Sequence, residues 1–188
     1  LSPVFETFGG TNLQPSFQFE IGGAPMGNRL WFIAPGNDNL IQFQSDRFLV
    51  NWRKQSSSHR YPRFEAIAKA FERNLSILEK HLLKHFKYQI LVNQAEISYI
   101  NLIPVNDFSE VGLWISLWNG DRFGVESLNL NFRDIVRSDD GQPIARLHHE
   151  LQSVFTVDGK HKALRLTITV RGKPSDGDPK SALDFLAT

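Results

Sequence analysis

The sequence contains no cysteine among its 188 residues. This absence excludes a disulfide framework, thiolate zinc sites and cysteine nucleophiles, and it is compatible with a reducing compartment. The chain also lacks a charge excess, because 21 Lys and Arg residues face 20 Asp and Glu residues for a formal net charge of +1. Without a global field there is no general attraction for nucleic acid or an anionic membrane, so a charged partner must be recognised by a local patch.

Long hydrophobic runs are missing as well. The longest, from Val111 to Trp118, is far shorter than the roughly 20 residues that cross a bilayer. The first residues also lack a basic segment followed by an apolar one. We therefore expect neither a membrane span nor a signal peptide, no membrane partner, and a cytoplasmic location.

The recognised signatures of catalysis are a further absence. No glycine-rich phosphate loop follows a strand, no serine sits in a G-x-S-x-G turn, and no pair of carboxylates stands out as a hydrolytic dyad. We therefore expect no cofactor and no metal, and we favour a binding protein over an enzyme.

Aromatic residues, by contrast, are abundant, with 15 Phe, 4 Trp and 3 Tyr. Most lie in strand-like segments, where large side chains fill a wide sheet face. A chain of this length is within the usual range for one domain and buries a substantial core unaided. We predict a single α+β domain over residues 1–188, with a largely antiparallel sheet packed on one long amphipathic helix.

Alternation of apolar and polar residues predicts about seven to eight strands. Turn residues between them, such as Asp140-Gly141 and Asp158-Gly159, indicate antiparallel neighbours. The predicted strands are 17–21, 29–34, 39–53, 94–103, 111–118, 125–136, 144–157 and 163–171. In the third strand, the polar and apolar sets exchange parity beyond Asp46, which we interpret as a β-bulge or strong bend near residues 45–47.

One long amphipathic helix is the clearest local pattern. Apolar residues recur at intervals of three and four from Phe64 to Phe86, and Pro62 suits a first helical position. A second helix is predicted from Ser181 onward, and we expect it to be cut short at Thr188. Strands followed by a helix thus occur twice, so the alternative interpretation is two pseudo-repeated β-rich halves, 17–92 and 93–188.

An ordered series of motifs occupies the first half of the chain. It consists of LIQFQSDRF from residue 40, NWR from residue 51, YPRFE from residue 61 and EISYIN from residue 96. The series resembles an uncharacterised, sporadically distributed family of bacterial proteins that are usually somewhat longer than this chain. The resemblance covers residues 1–103 by motif and the rest by strand pattern. It implies no established activity, but its patchy bacterial occurrence implies a toxin-control or chaperone-like role.

Polar side chains are concentrated on and beside the third predicted strand. Amides and arginine forks of this kind can line a groove that hydrogen-bonds a peptide backbone, a nucleotide or a base edge. The candidate binding residues are Gln42, Gln44, Asp46, Arg47, Asn51, Trp52, Arg53, Tyr61, Glu65, Glu96, Tyr99 and Asn101. The alternative is a buried polar network in which Asp46 or Glu65 pairs with a nearby arginine. We favour the network, because these residues divide between the two faces of one strand.

The histidines do not predict a metal site. His81 and His85 have a ligand spacing on the long helix, but a third ligand and the adjacent glutamate of a metalloprotease motif are missing. His148 and His149 are strand neighbours and point to opposite faces. His148 shares its face with Glu150, either as an acid and base pair or, more simply, as a cross-strand ion pair on a wet face.

Three functional hypotheses result. The first is a non-enzymatic binding module that engages another protein or a second copy of itself, since edge strands and an aromatic-rich sheet accept a partner. The second is nucleic-acid binding through the basic and aromatic run 47–63, where cations hold phosphates while bases stack. The third is a small-molecule enzyme that uses Glu96, Tyr99, Asp46 and Arg47.

Overall fold

The computed structural model describes residues 4–6, 29–44, 46–116, 124–155, 160–174 and 176–187. The chain divides into two compact units, residues 1–89 and 90–188. Each unit combines an antiparallel sheet with a helix, so the predicted α+β class with antiparallel strands is confirmed. The chain forms two separate sheets in place of the single sheet that was predicted. The prediction of one domain, with halves 17–92 and 93–188 as its alternative, stays a prediction.

The first unit has a four-stranded sheet in which each strand pairs antiparallel with the next. Its strands are β1 (Val4–Glu6), β2 (Arg29–Ile33), β3 (Asn39–Gln44) and β4 (Arg47–Trp52). Helix α1 (Phe64–Phe86) packs on β4, where the rings of Phe48 and Phe71 are 5.4 Å apart. The predicted strand 17–21 lies outside the described residues.

The segment predicted as one bent strand is a β-hairpin. Strands β3 and β4 pair antiparallel from Asn39 opposite Trp52 to Gln44 opposite Arg47, and the chain turns at Asp46. A tight reversal exchanges the parity of the residues that share a face, which is why the alternation changes phase at this point. The predicted bulge was wrong because a bulge and a two-residue turn leave the same change of phase in a sequence.

Helix α1 begins at Phe64, so the prediction that Pro62 occupies its first position was wrong. Arg63, at the N-cap position, has a positive φ of 68° and makes no side-chain capping hydrogen bond. At the other end, Lys87 is left-handed with a φ of 56°, and its N–H donates to the carbonyl of Leu83 at 3.2 Å. This αL cap satisfies a carbonyl of the last turn.

The elements of the second unit are β5 (Ala95–Val105), a 3₁₀ helix (Phe108–Leu113), β6 (Asn129–Arg137), β7 (Pro143–Phe155), β8 (Lys162–Gly172) and α2 (Pro179–Ala187). Its strands form a four-stranded antiparallel sheet in the order β5-β8-β7-β6. No helix in the described parts of the chain is long and apolar enough to span a bilayer.

The predicted strand 111–118 was wrong over its described part, because the 3₁₀ helix occupies its beginning. Asp107 and Glu110 form a capping box that starts this helix. The Asp107 carboxylate accepts from the N–H of Ser109 at 3.0 Å, and the Glu110 carboxylate accepts from the N–H of Asp107 at 3.3 Å. The reciprocal bonds satisfy two backbone donors that a helix start leaves unpaired, so the local capping chemistry overrides the strand-like apolar pattern.

One face of the second sheet, which we call the core face, holds the apolar core of the unit. The buried cluster there comprises Val105, Phe108, Val111, Leu151 and Leu164. Gly172 lies further along β8 on the same face, where the ring of Phe185 from α2 rests against its backbone so closely that an added Cβ would overlap it. The 3₁₀ helix and α2 therefore both pack on the core face.

Candidate functional site

The polar cluster of the β3–β4 hairpin is divided between the two faces of the first sheet. Phe48 and Trp52 share the face on which α1 packs, because Phe48 contacts the helix directly. Trp31, Gln42 and Asn51 lie on the opposite face. The antiparallel pairing therefore separates the candidate residues as the alternation of a strand requires.

Gln42 belongs to the interior of the first unit. Its side chain is only 8% exposed, next to the buried Leu40, and its Oε1 accepts a hydrogen bond from Asn51 Nδ2 at 3.3 Å. Trp31 is its neighbour across the strands, and the buried Nε1 of that indole has no hydrogen-bond partner among the residues that the structure describes. A buried amide needs a partner inside the protein, and Asn51 supplies it. Gln42 and Asn51 are thus brought together as a structural pair.

The predicted pairing of Asp46 with an arginine is present, but the pair is exposed where a buried network was predicted. Asp46 Oδ2 and Arg47 Nε are 3.5 Å apart in an exposed ion pair between sequence neighbours. Arg53 Nε donates to the backbone carbonyl of Asn37 at 2.8 Å, and its terminal nitrogen donates to the Asn37 side chain. Arg53 directly follows β4, and this position places it beside the β2–β3 turn. Its side chain therefore stabilises that turn and does not pair with Asp46 or Glu65.

The aromatic members of the candidate set pack on each other. The rings of Trp52 and Tyr61 meet edge to face with centroids 5.5 Å apart. This contact ties the segment that precedes α1 to the last residue of β4. Glu65 lies exposed in the first turn of α1, where a carboxylate is favoured by the helix dipole. Gln44 ends β3 opposite Arg47, on the same face as Gln42.

The remaining candidates lie on β5 of the second unit, and they do not share a face. Tyr99 and Asn101 are on the core face, whereas Glu96 is on the opposite one. Glu96 forms an ion pair with Arg171, its direct neighbour on β8. The odd spacing between Glu96 and the other two residues is the reason for the separation, since successive strand residues alternate between faces. A site that combines Glu96 with Tyr99 is therefore not assembled on this sheet.

The face of the second sheet opposite the core face is solvent-accessible along four cross-strand rows. We call it the bare face. Its residues, row by row from β5 to β6, are Glu96, Arg171, Arg146 and Ile135; Ser98, Thr169, His148 and Arg133; Ile100, Thr167, Glu150 and Asn131; Leu102, Arg165, Gln152 and Asn129. Each of these side chains is half-buried or exposed. Three aliphatic side chains on it are more than half exposed: Ile100 (66%), Leu102 (65%) and Ile135 (55%).

The charges of the bare face do not balance. It carries four arginines and two glutamates, so positive charge is in excess. Arg171 pairs with Glu96 on one side but lies directly opposite Arg146 on the other. Within the described part of the chain, neither Arg146 nor Arg133 forms an ion pair. The polar neighbours are bonded across strands, as in the 2.8 Å contact between the Ser98 and Thr169 hydroxyls.

The two strand histidines lie on opposite faces of the second sheet. His148 is on the bare face and bonds Asn131 Oδ1 at 2.7 Å, so the predicted pair with Glu150 does not form. On the core face, His149 stacks on Phe132 with ring centroids 4.4 Å apart, and its Nε2 is 3.3 Å from Asp134 Oδ2. Across the described residues, no group of three or more His, Cys, Asp or Glu side chains is arranged to hold a metal ion.

Sequence reasoning missed the arginines of the bare face. A signal was present, because Arg133, Arg146, Arg165 and Arg171 occupy alternating positions on the side of each strand opposite its leucines. Alternation, however, assigns each side chain to one face of its own strand and does not show which residues of two strands lie opposite each other. That Arg146 lies opposite Arg171 depends on the register of β7 and β8, which a single strand does not encode.

Comparisons with known proteins add no assignment to this geometry. No family model, no curated protein and no solved structure matches the chain. The resemblance to a sporadic bacterial family therefore stays a prediction.

Proposed function

We propose that the chain is a non-enzymatic binding module that engages another protein, or a second copy of itself, through the bare face of its second sheet. The observation that carries this proposal is the exposure of Ile100, Leu102 and Ile135 on a sheet face that is otherwise polar. The solvated face of an antiparallel sheet is normally polar, because the exposure of aliphatic side chains to water is unfavourable in free energy. Ile100 and Leu102 are neighbours on one face of β5, whereas Ile135 lies on the opposite edge strand. Neighbouring apolar side chains on a face that also carries arginines are typical of a protein interface.

The proposal moves the binding surface away from the hairpin that the sequence favoured. Gln42 and Asn51 bond to each other, and Arg53 is engaged by Asn37, so these groups have less to offer a ligand. On the bare face, Arg133 and Arg146 retain all their donors within the described part of the chain. A partner gains most from donors that the fold itself has not used.

A nucleic acid is the less favoured occupant of the bare face. Sheets that bind single-stranded RNA stack the bases on aromatic side chains. The bare face carries no Phe, Tyr or Trp among its sixteen positions in the four rows, and its exposed rings are limited to His148. Nucleic-acid binding through the run 47–63 and a small-molecule enzyme remain alternative proposals without a specific observation in their favour.

The proposed cellular role is toxin control or a chaperone-like function in the bacterial cytoplasm. The resemblance to a sporadically distributed bacterial family supports the role, and the absence of cysteine supports the compartment. The proposal of two pseudo-repeated halves is supported only by the presence of a sheet and a helix in each unit, since the strand orders β1-β2-β3-β4 and β5-β8-β7-β6 differ.

Site-specific photo-crosslinking tests the proposal. A benzoylphenylalanine introduced in place of Ile100, Leu102 or Ile135 should give one discrete adduct in irradiated cells that express the full chain. The matched control is the same group in place of Ile77, which is 61% exposed on α1 of the other unit. The mass of the adduct distinguishes a second copy of the chain from a different protein.

Two outcomes would contradict the proposal. One is the absence of an adduct from every bare-face position. The other is an equal yield of the same adducts from position 77, which would indicate non-specific contact.

A further inference from the structure

One end of the bare face concentrates positive charge. We call this the basic end and define it by Arg133, Arg146 and Arg171. Arg146 and Arg171 are direct cross-strand neighbours. Like charges that face each other across two strands destabilise a sheet, so this arrangement is unfavourable for the isolated fold.

The fold supplies too few carboxylates to neutralise the basic end. Glu96 is occupied by Arg171. The other acidic residue of the bare face, Glu150, is one row away from His148 and accepts a hydrogen bond from Gln152. Arg133 and Arg146 are both exposed and, among the described residues, unpaired. An unpaired, exposed guanidinium can form a bidentate hydrogen bond with a carboxylate of another molecule.

The basic end and the aliphatic residues have a defined spacing. Ile100 lies two rows from the row of Arg171 and Arg146, and Leu102 lies one row further. Two rows correspond to four residues, or about 13 Å along the strands. Arg146 also lies two strands from β5, about 10 Å across the sheet. An extended segment that crosses the sheet diagonally, with carboxylates and aliphatic side chains about five residues apart, would reach both groups at once.

We propose that the partner meets the bare face with an acidic and aliphatic protein segment, its carboxylates on Arg133 and Arg146 and its aliphatic side chains on Ile100 and Leu102. This inference rests on the proposed function and adds the chemistry of the partner to it. We infer an acidic segment because its charge is complementary to that of the arginines. We infer a protein because aliphatic side chains pack on Ile100 and Leu102, whereas a phosphate backbone makes no apolar contact with them.

The test compares two double charge reversals in a chain that carries the photo-crosslinker at position 100. Arg133→Glu with Arg146→Glu alters the basic end. Lys69→Glu with Lys80→Glu is the matched control, since it changes the net charge equally at two exposed positions of α1. Reversal at the basic end should lower the adduct yield by about tenfold or more, because it sets carboxylates against carboxylates. The control should leave the yield unchanged.

Two further measurements identify the partner's chemistry. Mass spectrometry of the adduct formed at position 100 should find the crosslinked segment rich in Asp and Glu with aliphatic neighbours. Titration of the purified full chain with labelled polyuridylate at low salt should show no binding that depends on Arg146. Circular dichroism of both double variants establishes that each is folded.

The outcomes separate the inference from the proposed function. If both double variants give the yield of the parent, or if the crosslinked segment is basic or neutral, the acidic partner is wrong while the protein-binding function stands. If polyuridylate binds and Arg146→Glu abolishes that binding, the occupant is a nucleic acid and the inference is overturned. If the parent itself gives no adduct, the proposed function fails first.

Discussion

The β3–β4 hairpin and the bare face of the second sheet are both polar strand surfaces, and they differ in how their polar groups are satisfied. In the hairpin, Gln42 is buried against Asn51, and Arg53 is bonded to Asn37. On the bare face, Arg146 faces Arg171 across the strands and, within the described residues, has no ion-pair partner. In the hairpin, Gln42 and Arg53 are bonded to residues of their own unit, whereas on the bare face the guanidinium of Arg146 keeps donors that are not bonded within the described residues.

The difference shows that an unusual cluster of polar residues in a sequence can serve the folded structure itself. A polar group inside a protein requires a partner, so several polar residues must occur together there. An exposed arginine is satisfied by water and imposes no such requirement on its neighbours. The buried pair of Gln42 and Asn51 is an example of this requirement, whereas the bare face that we propose for binding has an ordinary alternating sequence.

The largest expected effect comes from comparing two leucines of the second sheet. Leu164→Ala should lower the free energy of unfolding of the second unit by about 2–5 kcal/mol, because it leaves a cavity in the core face where Leu164 is fully buried. Leu102→Ala, on the bare face, should change it by no more than about 0.5 kcal/mol. Amide hydrogen exchange of β5 to β8 measures the unit separately. A similar loss for Leu102→Ala would mean that the bare face is covered.

An intermediate effect is expected in the hairpin. Gln42→Ala should cost about 1–3 kcal/mol, because it removes a buried amide and leaves Asn51 without its acceptor. Gln55→Ala removes the same side chain at an exposed position and is the control. Denaturant titration monitored by the exchange of β3 and β4 amides gives the two values. Equal, small effects of the two substitutions would show that the contact of Gln42 with Asn51 does not stabilise the fold. The hairpin would then again be a candidate binding site.

The smallest effect concerns acid stability at the edge of the core face. The hydrogen bond from Lys162 Nζ to Asp107 Oδ2, at 2.7 Å, together with the bonds from Ser109, holds the pKa of Asp107 well below its ordinary value of 3.8. A folded pKa below the unfolded one stabilises the protein above pH 3.8, and this stabilisation is lost as the pH falls further. Asp107→Asn should therefore flatten the acid limb of the stability profile.

The control for this pH dependence is Asp139→Asn, which removes an exposed carboxyl from the same unit. Thermal unfolding of the three proteins between neutral pH and strong acid is the measurement. An acid limb of unchanged steepness in Asp107→Asn would show that the contact with Lys162 does not link protonation to folding.

Particular elements show how far sequence patterns predicted the fold. Apolar spacing predicted a helix over residues 62–87, where α1 spans Phe64–Phe86, and alternation indicated a strand over 163–171, where β8 spans Lys162–Gly172. The 3₁₀ helix was missed although its signal was present, since Asp107 and Glu110 have the spacing of a capping box. The hairpin turn at Asp46 was not predictable from parity alone, because a bulge produces the same shift.

The candidate residues are divided among several surfaces, because they were chosen by chemical type along the chain. Trp52 and Tyr61 do meet, and so do Gln42 and Asn51, but each pair is a contact within the first unit. Glu96 meets Arg171, a residue 75 positions away that the sequence did not single out. Contacts of that separation depend on which strands become neighbours, and local spacing carries no information about it.

The sequence by itself determined the absence of thiol chemistry, the near balance of charge, and the periodicities that assign each side chain to one face of its own strand or helix. Tertiary structure decided the strand order β5-β8-β7-β6 and the register that sets Arg146 against Arg171, with Ile100 two rows away. The reason is that the two-residue period of a strand specifies the face to which each side chain points, whereas the register between strands is selected by the packing of the whole sheet on its core.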